Sequence, residues 1–303
     1  MAAVYHNPVM VSECLDGLAV KAGGVYVDAT YGGGGHSRAI VSRLGDDGRL
    51  YAFDQDADAL GNAIDDSRVK LIHANFRHIK AFLRLEGVTG VDGILADLGV
   101  SSHQIDVPER GFSTRMDGEL DMRMDCSQEL TAKEVVNCYD ETELARIMKM
   151  YGELPNARQV AHSICEARKA SGLERTSNLV DAVRRHLPRG YENKYLAMIF
   201  QAIRIEVNGE LEALKSMLEQ SVELLKAGGR LVVISYHSLE DRLVKNYIKT
   251  GNFDGEMVKD FYGNVIAPLR AVGRKVIVPS VEEIQGNSRA RSAKLRIAEK
   301  VDR

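Results

Sequence analysis

Hydrophobic and polar positions along this chain follow two different rhythms. Between residues 25 and 97, short β-branched and aromatic runs recur: Val25-Tyr-Val-Asp28, Gly48-Arg-Leu-Tyr-Ala-Phe53 with Asp54, Val69-Lys-Leu-Ile-His73 and Val91-Asp-Gly-Ile-Leu-Ala-Asp97. Apolar runs of about four to eight residues, bounded by glycine or polar residues, predict buried strands. After the first of them, His36-Ser-Arg-Ala-Ile-Val-Ser-Arg-Leu44 carries apolar residues at helical spacing. Strands alternating with helices predict an open α/β sheet.

From Thr131 to about Ile205 the period is helical almost throughout. Thr131-Ala-Lys-Glu134 and Asp140-Glu-Thr-Glu143 have the form of capping boxes. The second opens a helix with Leu144, Ile147, Met148 and Tyr151 on one face, stopped at Gly152. Further helices are predicted from near Ala157 to Ala170 and from Ser177 to Leu187, before Pro188. The stretch from Pro108 to Asp125 has no clean period and reads as a long functional loop or lid. Alternation resumes near Asn208. Leu211, Leu214, Leu218, Val222 and Leu225 mark a helix face that Gly228-Gly229 is expected to end. Arg230 to Tyr236 reads as a strand, with Ser238 and Asp241 available to cap the next helix. Lys275-Val-Ile-Val278 and Lys294-Leu-Arg-Ile297 read as a final strand pair. The expected organisation is a discontinuous α/β domain over 1–106 and 207–303, with a lid loop and helical insert for substrate recognition over 107–206.

Composition narrows the class. The 303 residues are 45% hydrophobic and 27% charged, with no apolar run of membrane-spanning length, as expected of a soluble globular protein. Four scattered cysteines without a C-x-x-C pair point to reduced thiols in a cytoplasmic protein, and to neither a zinc site nor a disulfide framework. A formal charge of −3 means that any nucleic acid must be held by local patches.

The candidate chemistry begins at Asp28-Ala-Thr-Tyr-Gly-Gly-Gly-Gly-His-Ser37. Strand, glycine turn and helix bring backbone close to a nucleoside-like ligand, because glycine has no Cβ to hold it off. Asp54 closes the next strand about twenty residues later, where a carboxylate can accept ribose hydroxyls. A dinucleotide would set its pyrophosphate against the helix end. S-adenosylmethionine would instead place its carboxylate there and its ammonium beside an acceptor such as Asp28, whose charge would repel a pyrophosphate. The helix, Gly-Gly, strand and terminal strand pair also suit a methyltransferase sheet. Phe76 either lies against the adenine or is a core aromatic.

Seven segments occur in order: Asp28 to Ser37, Asp97-Leu-Gly-Val-Ser-Ser102, Glu109-Arg-Gly-Phe-Ser113, Asp121-Met-Arg-Met-Asp125, Phe200-Gln-Ala-Ile-Arg-Ile205, Tyr236-His-Ser-Leu-Glu-Asp-Arg242 and Arg289-Ala-Arg-Ser-Ala293. Together they resemble the bacterial 16S ribosomal RNA (cytosine-N4) methyltransferase family over nearly the whole chain. The chain departs from the family's usual pattern at Leu154-Pro-Asn156 and Tyr195-Leu-Ala-Met198, both in the helical insert. The resemblance implies a class I S-adenosylmethionine-dependent methyltransferase, with a Rossmann-like sheet and an inserted all-helical domain. Its implied substrate is N4 of a cytidine in the decoding centre of the small ribosomal subunit. Carried onto matching positions, the family's cofactor contacts are Gly34, Gly35, His36, Asp54, Phe76, Asp97 and Gln104. His36 and Gln104 rest on the resemblance alone.

An exocyclic amine is a poor nucleophile and must be oriented by hydrogen-bond acceptors; no metal is called for. In amine methyltransferases the acceptor group sits at the end of the fourth strand, here Asp97 followed by Ser101 and Ser102. Asp97 could alternatively cap a helix or bind ribose. His237 is the second catalytic candidate. Arg289, Arg291, Lys294 and Arg296 form one basic cluster, and Arg184, Arg185 and Arg189 another; each is either a solvated face or an RNA contact. Rival functions are a DNA amino-methyltransferase, a nicotinamide-dependent oxidoreductase and a non-catalytic ribosome-assembly protein. Monomer and homodimer remain open.

Overall fold

The computed structural model describes residues 8–263 and 265–302. It divides into two compact units: one runs to Gly99 and resumes at Leu211, the other is Val100–Glu210. The sequence placed these boundaries at 106/107 and 206/207.

The first unit contains α1 (Val11–Leu18), β1 (Val25–Asp28), α2 (Gly35–Val41), β2 (Arg49–Asp54), β3 (Val69–His73), α3 (Ile79–Leu85) and β4 (Val91–Asp97). The second contains α4 (Ser102–Asp106), α5 (Ala132–Cys138), α6 (Glu141–Met150), α7 (Ala157–Ala170), α8 (Thr176–Val183) and α9 (Glu192–Asn208). The chain re-enters the first unit through α10 (Glu210–Leu224) and continues with β5 (Leu225–Ser235), α11 (Ser238–Thr250), β6 (Leu269–Ala271), α12 (Val281–Gly286) and β7 (Lys294–Lys300).

Among the described residues the strands form a seven-stranded sheet in the order β3-β2-β1-β4-β5-β7-β6. The pairs β3–β2, β2–β1, β1–β4 and β4–β5 are parallel, whereas β7 runs antiparallel between β5 and β6. This is the class I methyltransferase arrangement. One face of the sheet packs Val27, Phe53, Ile94 and Val233 against α3, α10 and α11. The other packs Tyr26, Leu50, Leu95 and Ile234 against α1 and α2. Alternate residues thus feed opposite cores, as a strand buried on both faces requires. The chain steps outward from β1 to β2 and β3, then crosses back to β4. That leaves a topological switch point between the carboxyl ends of β1 and β4, where open α/β sheets hold their ligands.

Two boundaries differ from expectation. The helix α10 ends at Leu224, and the glycines fall inside the span of β5, because Val91 pairs with Leu225 and the next partners are Gly93 and Arg230. Gly228, at φ 72°, supplies the left-handed backbone for that irregularity. The partner of β7 at the sheet edge is Leu269–Ala271; Ile277 makes only an isolated bridge to Leu295. From Pro108 to Asp125 the chain is irregular apart from one short 3-10 turn at Pro108–Arg110, and it is packed. Leu120 and Met122 are buried in the helical core with Val135, Ile164 and Ile203, and Arg110 donates to the carbonyls of Arg123 and Met124.

Both capping boxes expected from the sequence form, at Thr131/Glu134 and Asp140/Glu143. None of the four cysteines is in a disulfide. Among the described residues no helix is long and apolar enough to cross a membrane.

Candidate active site

Parallel pairing lines up the carboxyl ends of β2, β1, β4 and β5, and with them Asp54, Asp28, Asp97 and Tyr236. The glycine turn starts from β1. Gly34 adopts φ 74° and caps α2, its N–H donating to the Tyr31 carbonyl at 2.7 Å. An ideal Cβ on Gly34 would stand 2.7 Å from the Tyr31 hydroxyl, so both conformation and space require glycine. Gly32 faces open space.

Asp54 ties the turn down. Its Oδ2 accepts the Gly32 N–H at 2.7 Å and its Oδ1 accepts the Asp56 N–H at 2.8 Å. Each oxygen keeps a lone pair for a further donor. Burial, with the charges of Asp56 and Asp28 adding to it, pushes Asp54 up to about 6 against these two hydrogen bonds. Phe76 is half-buried and packs against the Val27–Phe53–Ile94 core.

Asp28 is held inside the fold. It is fully buried, and its oxygens accept the Thr30 N–H at 3.1 Å and the Ser37 hydroxyl at 2.7 Å. Burial raises its carboxyl above the usual range. Asp28, expected beside the cofactor's ammonium, here fastens the end of β1 to the first turn of α2.

Asp97 is the acid the edge leaves available. The Thr30 hydroxyl accepts its N–H at 2.7 Å, and the Leu98 N–H donates to Ile234 at 3.0 Å, fixing the strand end. The Tyr236 hydroxyl donates to Oδ1 at 2.8 Å, whereas Oδ2 has His36 Nδ1 at 3.8 Å, beyond hydrogen-bond range. The His36 Nε2 lies 2.9 Å from the Val9 carbonyl, which can only accept, so that nitrogen carries a proton. His36 is thereby turned inward and is 6% exposed. About a fifth of the Asp97 side chain (21%) stays open to solvent. Burial is the main cause that pushes its carboxyl up to about 6, with Asp28 and Glu240 adding to it and His36 and Tyr236 opposing. The same surroundings drive the Tyr236 hydroxyl far above its ordinary value, so it remains a donor.

His237 has a structural place at the start of α11. It, and not Ser238, is the N-cap of α11. Its Nδ1 faces the Glu240 N–H at 3.5 Å, Nε2 lies 3.1 Å from Glu240 Oε1, and Glu240 Oε2 accepts the Tyr236 and His237 N–H groups. Asp241 is diverted too: its carboxylate takes Arg296 Nε at 2.7 Å and Lys294 Nζ at 3.3 Å. Those two members of the proposed RNA cluster therefore clamp β7 to α11. Arg291 is exposed and Arg289 half-buried.

In the helical unit, Ser101 caps α4. Its hydroxyl accepts the Gln104 N–H at 3.2 Å and its own N–H donates to Gln104 Oε1 at 3.0 Å. Gln104, 4% exposed, is thus engaged in a capping box, and Ser102 is the first residue of that helix. Sequence reasoning missed Tyr236, Thr30 and Ser37. The signal for Ser37 was its place in the first turn after an acid-ended strand; Tyr236 could be found only once β5 was known to neighbour β4.

The model of the MraW methylase family matches residues 3–301. Relatives named ribosomal RNA small subunit methyltransferase H include one from Flavobacterium johnsoniae, 59% identical over 297 residues that cover 98% of each chain. That of Flavobacterium psychrophilum is 59% identical over 291 residues, covering 96% of this chain and 100% of its own. The Cytophaga hutchinsonii protein is 55% identical over 299 residues, covering 98% and 100%.

Proposed function

The chain belongs to the MraW methylase family, and from that premise we propose that it uses S-adenosylmethionine to methylate N4 of a cytidine in 16S ribosomal RNA of the small subunit. The observation that carries this reading is Asp97: a carboxylate at the switch point, held by Tyr236 through one oxygen and open at the other.

The edge suits the cofactor's chemistry. A sulfonium is a cation, and Asp54 and Asp97 place negative charge along the carboxyl edge, where burial and neighbouring acids have raised both above the usual carboxylate range. The residues that would hold it are Asp54 for the ribose, the Gly32–Gly35 turn for the methionine end and Phe76 for the adenine face. When bound, the cofactor supplies an electrophilic methyl group. Asp97 accepts an N4 hydrogen through Oδ2, which directs the nitrogen lone pair and stabilises positive charge growing on it. Tyr236 and the Thr30 bond stop the carboxylate from turning away, so orientation is set before the cytidine arrives. An acid near 6 can also take the proton that the methylated amine sheds.

The test is transfer of labelled methyl from S-adenosylmethionine to small ribosomal subunits isolated from a strain lacking the gene, with nucleoside mass spectrometry of the product. N4-methylcytidine in 16S RNA is expected, with at least a 10²-fold loss in Asp97→Asn. A methyl group on any other atom, or none with active wild-type protein, overturns the proposal.

A further inference from the structure

The helical unit contains a groove of about 650 Å³ between the end of α6, the start of α7 and the segment after α8. Its lining includes the cations Lys149, Arg158 and Arg185, the imidazoles His162 and His186, and Glu141. Glu141 faces His162 at 3.1 Å. Several cations elsewhere on this unit are matched: Arg146 with Glu206, Lys169 with Glu166, Arg184 with Asp181. Among the described residues, Lys149, Arg158 and Arg185 have no such ion pair.

Arg185 is also built in. Its Nε donates to Ser163 Oγ at 2.9 Å and to His186 Nε2 at 3.2 Å, and Ser163 Oγ lies 2.8 Å from the same ring nitrogen. A nitrogen that accepts from a guanidinium is unprotonated, and burial beside Arg185 and His162 holds His186 below the usual imidazole value. The inner edge of the guanidinium is therefore used up. Its terminal nitrogens, a planar pair of donors suited to phosphate oxygens, take no part in these bonds, and Arg185 lines the groove.

We propose that this groove is a phosphate-binding subsite for the RNA backbone, with Arg185 as its fixed arginine and Arg158 and Lys149 as its flanking cations. It rests on the reading of RNA as substrate. In a chain of net charge −3 such local clustering is how a polyanion can be held. Phosphate contacts position a nucleic acid without reading its sequence, so the subsite acts on docking and not on methyl transfer.

The test is Arg158→Gln with Arg185→Gln, measured on small subunits and on protein-free 16S RNA. The KM for RNA should rise at least tenfold near 0.1 M salt, with kcat and cofactor affinity within twofold of wild type. The slope of log affinity against log salt should shrink by roughly 1.4–1.8, two phosphate contacts' worth. Lys149→Gln with Arg158→Gln, both on the surface, gives the same reading if loss of Arg185 disturbs folding. An unchanged KM and salt slope overturns the proposal while leaving the methyltransferase reading intact. A loss confined to subunits and absent on protein-free RNA makes the partner a ribosomal protein and equally overturns it. Wild-type protein that binds RNA without methylating it defeats the functional reading instead.

Discussion

Removing one hydroxyl, in Tyr236→Phe, should move the acidic limb of the pH–rate profile without abolishing the reaction. The lost bond, 2.8 Å from Tyr236 to Asp97 Oδ1, stabilises the ionised carboxylate. Hydrogen bonds to charged groups are worth ~1.5–3 kcal/mol, and one pKa unit is about 1.4 kcal/mol. Asp97, already pushed up to about 6, should rise by roughly one to two units in the variant. The sign is fixed by which form the donor favours: a donated bond favours the anion, so its loss favours the protonated acid. At pH 7 the ionised fraction, and with it the single-turnover rate, should fall roughly two- to tenfold, recovering by about pH 9. The assay is single-turnover methyl transfer at saturating cofactor and subunits, from pH 5.5 to 9.5. The cofactor's positive charge lowers both limbs together, so the displacement between wild type and variant is the quantity to read. A loss that is the same at every pH would show that Tyr236 acts through packing and would refute the argument.

Asp54→Ala should weaken cofactor affinity at least tenfold in calorimetry, because it removes ribose acceptors and frees Gly32 of its anchor; unchanged affinity in a folded variant removes the ribose assignment. Asp97→Asn should abolish transfer yet stabilise the fold. The folded carboxyl sits at about 6 against ~3.9 unfolded, so its charge costs stability that grows from about pH 4 to 6 and is complete at pH 7. Substitution should recover about 1–3 kcal/mol at pH 7, and the thermal midpoint should rise by several degrees, with the gain fading toward pH 4; a lower midpoint at pH 7 contradicts it. Charge reversal at Arg289 and Arg291 should weaken RNA binding and flatten its salt dependence with cofactor affinity intact, whereas an unaltered slope assigns them to solvated surface.

The core strands were legible because each is a short apolar run closed by a polar residue, and the parallel order follows from their alternation with helices. Thr131 and Asp140 announced their helices because a short oxygen followed three residues later by Glu satisfies two backbone donors at once. His237 hid its capping role beside Ser238, a stronger cap by propensity; Glu240, returning its carboxylate to two backbone N–H groups, decided between them. The start of β5 was hidden because Leu225-Lys-Ala-Gly-Gly reads equally well as a helix terminus, and β6 is only three residues long. At the site, residue types told where acids stand but not what they are bonded to. Asp28 and Asp97 look alike in sequence; Ser37 and Thr30 bury the first in hydrogen bonds, and only tertiary pairing shows the second half open.

The placement of β7 has a consequence for synthesis. Ala96 of β4 pairs with Val233 of β5, with the whole helical unit between them in the chain, and β5 in turn needs β7 as its other neighbour. At translation rates of ~5–20 residues per second, the helical unit emerges over roughly 5–20 seconds while β4 waits without its partner. Until Lys294–Lys300 leaves the ribosome, β5 is a bare edge of apolar residues, the kind of surface that recruits another chain. The helical unit has a core of its own and local contacts, so it is the part able to settle during that interval. A nascent chain halted just short of β7 should therefore carry an ordered helical unit beside an unfinished, aggregation-prone sheet.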